Sequence, residues 1–316
     1  MARAYVTNYD SSEVTVIDTQ TRQVIANIGV GERPSGVAAL PNGSRVYVTN
    51  ADSNNVSVIN TLTNRVVATI SVQSRPIAVV ASPDGSRVYV ANQSSHTVSV
   101  IDTQSNQVTG MIPVGQNPSG ITASPNGTRL YVTNFGSETV SVINTQTTRV
   151  IGEVSVGQSP IGIAVTPNGR RVYVVNSRSN SVSVINTQTN EVITSISVGS
   201  TPAMVAITPN GSRAYVSNQY SNNMSIINTQ TNQVIETIPV ERQPFGLAVT
   251  PDGRYIYVAN SDINNVSVID AQTNQIVDMI PVVLTPFGIA ITNIPNNRGS
   301  RLKRSVAKRR KRRSNR

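Results

Sequence analysis

Residues 118–159 read PSGITASPNGTRLYVTNFGSETVSVINTQTTRVIGEVSVGQS, and this unit decides the fold through its copies elsewhere. Its core, Tyr131-Val132-Thr133-Asn134, returns as Tyr-Val-x-Asn at Tyr5, Tyr47, Tyr89, Tyr173, Tyr215 and Tyr257, always 42 residues apart. A fixed period of this size is the mark of a repeat architecture, so the period, not the length of 316 residues, sets the domain count.

Each unit contains four strand-length segments, labelled A to D. Segment A, Ser119 to Ser124 in this copy, ends in Pro125-Asn126-Gly127. Asn-Gly or Asp-Gly between β-prone runs is a strong hairpin signal, and a turn with positive φ at both central residues is expected. Segment B is RLYVTN and segment C is TVSVIN, closed by an Asp- or Asn-Thr-x-Thr turn such as Asp18-Thr19-Gln20-Thr21. There the Asx side chain can accept hydrogen bonds from the backbone ahead of it. Segment D, RVIGEVSVG here, tolerates Pro113, Pro239 and Pro281 and the charges Glu153, Glu236 and Asp278 in its copies. Proline and charge belong on an edge strand, so D is outermost. The small residues of A suit the crowded centre of a radial array.

Four-stranded sheets at this period describe an all-β, seven-bladed β-propeller with antiparallel blades. The chain opens with B, C and D of one blade and closes with a lone A, PFGIAIT at Pro286 to Thr292. Joining the two ends completes blade one and closes the ring. The expected domains are a propeller over residues 1–292 and a basic tail over 293–316.

The Tyr-Val-x-Asn core, the Pro-Asn/Asp-Gly hairpin and the Val-Ser-Val-Ile-Asp/Asn-Thr strand resemble the YVTN family of β-propeller repeats, known from archaeal surface-layer and bacterial proteins. That resemblance covers residues 1 to 292 and implies binding or adhesion at a cell surface or outside the cell. A more distant likeness connects such propellers with sugar-lactone hydrolases and lyases, but no catalytic motif of those enzymes can be placed in this sequence.

The absence of cysteine excludes disulfides and thiolate chemistry. No run approaches the length of a membrane span. The N-terminus, MARAYVTN, has neither a basic nor an apolar leader region, so no secretory signal is expected, and the cellular address is left open. The net charge of +10 is concentrated at the C-terminal end: residues 293–316 hold eleven Lys and Arg and no acid, while the body is near neutral. Lys303, Arg304, Lys308, Arg309, Arg310, Lys311, Arg312 and Arg313 are the expected polyanion contacts. A block of like charge is expected to be disordered and to attract nucleic acid, a cell-wall polymer or anionic lipid. The tail has no aromatic residue to stack on bases, so it is not expected to read a nucleic-acid sequence.

If the repeated residues are scaffold, recognition belongs where the seven copies differ. Loops D–A and B–C share one face, called the top; loops A–B and C–D share the bottom and look the more uniform. On the top, Asp10, Asp52 and Asp262 fall on blades one, two and seven, Phe245 and Phe287 follow loop prolines, and Arg33, Arg75 and Arg242 stand in D–A loops. One reading is a ligand site with apolar contact from phenylalanine and polar specificity from Arg and Asp. The other is that Arg and Asp pair on a solvated surface while the rings fill space beneath a loop. A metal shared by the three Asp is not expected: calcium needs oxygens at about 2.3–2.6 Å, whereas packed sheets lie roughly 10 Å apart. His96 in a B–C loop, with its nearest acid Asp102 at the other end of a strand, is expected to be a solvated loop residue.

The sequence therefore points to a non-enzymatic, monomeric binding disc for a protein or glycan on its top face, tethered by a cationic tail and needing no cofactor. Two alternatives stay open: a lactonase or lyase working in the central channel, and a nucleic-acid-associated protein driven by the tail.

Overall fold

The computed structural model describes residues 2–295 and contains twenty-eight strands in seven four-stranded antiparallel sheets. Blade one is built from both ends of the chain: strand A is Pro286–Asn293, B is Ala2–Asn8, C is Glu13–Asp18 and D is Gln23–Gly29. A pairs with B through Ala4↔Ile291, Tyr5↔Ala290 and Val6↔Ile289, which closes the ring. The other six blades follow in sequence order, from Pro34–Ala39 as strand A of blade two to Ile276–Pro281 as strand D of blade seven. No helix among the described residues is long and apolar enough to cross a membrane.

Proline at the start of A, with glycine two positions on in five blades and Ala78 or Met204 in the other two, sets the centre of the disc. In blade four, strand A is Pro118–Ala123, and its register slips by a bulge between Pro118 and Gly120. Thr133 Oγ1 on strand B repairs the slip: it receives the Gly120 N–H at 2.7 Å and donates to Ile161 O of blade five at 2.8 Å. A Cβ on Gly120 would meet that Ile161 oxygen at 2.1 Å, so the close approach of neighbouring A strands requires glycine there.

The A–B turn differs from the one expected. Only the glycine has positive φ, as at Gly43 with φ 67, and Gly43 N–H donates to Leu40 O at 2.8 Å. Proline holds φ near −65°, which suits the second position of a type I turn, so Pro41-Asn42 form that turn and glycine supplies the left-handed step after it. The C–D turns form as expected, with Asp18 Oδ1 accepting from Gln20 N at 2.9 Å and Thr21 N at 3.0 Å.

No blade has a core of its own. Tyr5 with Val14, Val16 and Ile28 of blade one packs on Val46, Val48 and Ile59 of blade two, and the same set recurs at all seven seams. The last seam joins Tyr257, Val266 and Val268 of blade seven to Ala4, Val6 and Ile17 of blade one. The seven motif tyrosines are at most 1% exposed. The motif asparagines are fully buried and tie B to C, as in Asn134 Nδ2 donating to Ser141 Oγ at 2.9 Å. Strand D is the exposed rim, as expected.

Arginine at or beside the first position of B staples six seams from the bottom face. Its Nη1 donates to a carbonyl in the C–D turn of the next blade: Arg3 to Thr61 at 2.5 Å, Arg45 to Thr103 at 2.6 Å, Arg87 to Thr145 at 3.0 Å, and Arg213 to Ala271 at 2.9 Å. Arg129 bonds Thr187 in the same way, and Arg171 bonds Thr229. Hydrogen bonds to charged groups contribute about 1.5–3 kcal/mol each when partly buried.

Burial pushes the Tyr257 hydroxyl up to about 12 and raises those of Tyr5, Tyr47 and Tyr173 as well. An unfolded chain releases these protons near pH 10 while the folded one keeps them, so the folded state binds more protons there. Stability is therefore full below about pH 10 and falls as pH rises towards about 12. Urea unfolding from pH 8 to 12, read beside tyrosinate absorbance, is expected to show this decline; stability independent of pH over that range would contradict the tyrosine seams.

Candidate functional site

The top-face loops are held by one repeated device. In blades two to six the B–C loop serine accepts the N–H of a D–A loop residue, as in Glu32 N to Ser53 Oγ at 2.8 Å, and Ala51 N donates back to Arg33 O at 3.0 Å; in blade one Tyr9 N donates to Thr285 O at 2.9 Å. The position at the end of each B–C loop is left-handed, and in five of the seven blades its side chain accepts a second loop N–H. Asn54, Asn180, Asn222 and Asn264 accept from Arg75, Thr201, Gln243 and Thr285. His96 fills this place in blade three, with φ 57 and Nδ1 accepting Asn117 N at 3.1 Å. Its ring therefore does a loop's work.

On blades seven, one and two these rigid loops bring most of the sequence candidates together. Phe245 and Phe287 stack with ring centroids 3.9 Å apart. Tyr9 lies 5.3 Å from Phe287, and the Arg33 guanidinium lies 5.4 Å over the Tyr9 ring. Arg33 Nε is 3.3 Å from Asp52 Oδ2. The result is a continuous row, Phe245–Phe287–Tyr9–Arg33–Asp52, across three blades. Arg33 and Arg242 pair with aspartates, and the rings of Phe245, Phe287 and Tyr9 are half-buried.

Other candidates stand beside the row or apart from it. Arg242 Nη1 is 4.0 Å from Asp262 Oδ2, and Asp10 Oδ2 accepts from Thr285 Oγ1 at 2.7 Å. Asp10, Asp52 and Asp262 thus each face a different partner, and no group of three metal-ligating side chains forms among the described residues. Arg75 joins none of these contacts. The cationic residues from Lys303 onward lie outside the described residues. Tyr9 was missed by the sequence reading; the signal was an aromatic at the position directly after the motif Asn, where only Phe135 is similar.

The central channel is narrow, about 150 Å³, and its wall is made of strand A residues. Ser35, Ser119, Met204, Phe287, glycines and aliphatic side chains line it, and among the described residues no ionisable group belongs to that wall. The two hydroxyls are engaged: Ser119 Oγ donates to Pro160 O at 2.7 Å, and Ser35 Oγ lies 3.1 Å from Thr49 Oγ1. Phe287 stands at the top mouth, where the channel meets the aromatic row.

Residues 51–245 match the family model of the choice-of-anchor I domain, and residues 201–296 match that of the YNCE-like beta-propeller. The first match spans more than half of the chain, and the chain belongs to the choice-of-anchor I domain family. A search of curated proteins finds no significant match. Among solved structures, a functionally unknown protein from Desulfotomaculum acetoxidans is similar, with TM-score 0.82 and 18% identity over 93% of this chain and 99% of that one. Hydrazine synthase from Kuenenia stuttgartiensis gives 0.77 and 23% over 84% and 91%. The periplasmic gluconolactonase of Pseudomonas aeruginosa gives 0.78 and 18% over 93% and 99%. At these identities the likeness shows the shared propeller fold.

The loop role of His96 carries its own test. His96→Asn keeps a left-handed position that asparagine tolerates well and keeps the acceptor, so its stability is expected within about 0.5 kcal/mol of the parent or above it. A loss of more than about 2 kcal/mol in urea unfolding would show that the imidazole does something a loop acceptor does not.

Proposed function

We propose that this propeller is a non-enzymatic binding module of the YVTN surface-layer type, which recognises a protein or glycan ligand on its top face and is tethered by its basic tail to a polyanion. The carrying observation is the row Phe245–Phe287–Tyr9–Arg33 on loops already tied by hydrogen bonds. Half-buried aromatic rings offer a large contact area at little conformational cost, and a rigid frame reduces the ordering entropy lost on binding. Asp52, Asp262, Asp10 and Arg242 form the polar rim that orients the ligand, and Arg75 extends it. Membership of a family named for its choice of anchor accords with a tethered disc. The channel wall offers no acid or base for hydrolysis, which favours binding over the lactonase or lyase alternative.

The test pairs binding with turnover. Full-length protein is screened against immobilised oligosaccharides and extended peptides and assayed on a panel of sugar lactones. The expected result is saturable binding to one class, weakened roughly 30-fold by Phe287→Ala as for an aromatic anchor, with unchanged melting and no lactone hydrolysis. Lactone turnover that Phe287→Ala abolishes would contradict the binding reading. Removing residues 296–316 leaves every described strand in place, and is expected to leave top-face binding intact while abolishing salt-sensitive retention on polyanions.

A further inference from the structure

The top-face reading leaves the bottom of the disc unassigned, and the bottom is where the ring-closing seam departs from the other six. At that seam, between blades seven and one, the stapling position holds Tyr255 in place of arginine. A cation appears on the opposite wall instead: Arg22 occupies the left-handed turn position that is Asn64, Asn106 or Asn232 in other blades, with φ 59. Arg22 and Arg254 place their guanidiniums 5.0 and 5.5 Å from the centroid of the Tyr255 ring. The Thr19 carbonyl, counterpart of those that receive arginine elsewhere, is met by the Tyr257 hydroxyl at 3.4 Å. Without the staple the groove opens to about 570 Å³, against about 310 and 250 Å³ at two stapled seams.

Charge is distributed unevenly about this groove. Of the fifteen arginines in residues 1–292, eleven lie at the bottom ends of the strands and four at the top, while the top carries seven acids and the bottom six. The stapling arginines bond carbonyls and so keep their charge. Among the described residues the ion pair that takes a bottom-face arginine is Arg22–Asp278, at 3.9 Å. The carboxylate in the groove wall, Asp252, is held on its own hairpin by Thr250 Oγ1 at 2.6 Å and Arg254 N at 3.1 Å. Asn293, the last residue of the final strand, also lines the groove, and the chain then crosses the bottom face towards blade two, where Ile294 packs on the seam of blades one and two, ahead of the eleven cations carried by residues 293–316.

We propose that the groove between blades seven and one is a subsite for an acidic polysaccharide, whose carboxylate- or phosphate-bearing sugar is held by Arg22 and Arg254 in the space left by the missing staple. This rests on the polyanion-tether reading and gives the tether a structured contact on the disc. A concave groove of this volume admits a sugar unit, and guanidinium forks match carboxylate and phosphate oxygens bidentately. A nucleic-acid base would need a free aromatic face, whereas the Tyr255 ring is already approached by two guanidiniums. A membrane surface would be met by a flat or protruding face, not by a groove.

Tyr255→Arg separates shape from charge, because it adds a cation while restoring the seventh staple and narrowing the groove. Binding of the full chain is measured with polygalacturonate, a ribitol-phosphate polymer, single-stranded DNA and phosphatidylglycerol vesicles at low and physiological salt. The expected result is binding to one of the first two, weakened roughly tenfold by Tyr255→Arg despite the added charge, and similarly by Arg254→Gln. The two polymers distinguish a carboxylate from a phosphate source. Equal or tighter binding by Tyr255→Arg, with Arg254→Gln like the parent, would overturn the subsite. Loss of all binding on removing residues 296–316, with both groove variants unaffected, would overturn it too while leaving the tether reading standing. Preference for DNA or vesicles over both polymers would also overturn it. A melting temperature for Tyr255→Arg at or above the parent's confirms that weakened binding is not unfolding.

Discussion

The seam between blades is the interaction on which everything else depends. A four-stranded sheet of this composition cannot bury Tyr, Val and Ile on its own; each blade lends its motif tyrosine and its C-strand valines to the next. Such an arrangement has no natural end, so the two chain termini must meet in one blade or leave a face uncovered. Pairing of Ala2–Asn8 with Pro286–Asn293 solves this by placing the first and last strands in one blade, blade one. The invariance of the repeat follows from the same fact, because any residue that touches the next blade is constrained twice, once in its own sheet and once at its neighbour.

The two faces then acquire different characters from the same strands. At the top, loop-to-loop hydrogen bonds replace staples, and variation is free to collect in side chains that point outward, which is where the aromatic row lies. At the bottom, arginine is needed six times for a structural bond to a carbonyl, and the unneutralised charge of those side chains is a by-product of the fold. A near-neutral body can therefore be acidic on one face and basic on the other. The chain exits on the basic face.

Much of this was legible in the sequence because turn and edge chemistry is local. The period, the four strands, the D rim with its prolines and charges, and the small residues of A all follow from rules about neighbours in sequence. What the sequence hid was set by neighbours in space. The type of the A–B turn depended on proline fixing φ at Pro41, a competition that the Asn-Gly signal alone overrode in the expectation. The partner of Arg45 is Thr103, 58 residues away, visible only once blades are placed side by side. The bottom loops read as uniform because Tyr255 and Arg22 are each ordinary alone; their exchange of roles appears only when blade seven faces blade one. Tyr9 was overlooked for a similar reason, since its contact with Phe287 joins opposite ends of the chain.

The central claim is that stability resides in the seams and that the ring-closing seam, lacking its arginine staple, is the weakest. Native-state amide hydrogen exchange resolved by strand tests this most directly, because local opening free energies report which seam yields first. The account predicts faster exchange at Val266 and Val268 of blade seven and at Ala4, Val6 and Ile17 of blade one, which meet across that seam, than at the matching residues of the six stapled seams. Uniform protection around the ring, or greatest protection at the seam between blades seven and one, would contradict it.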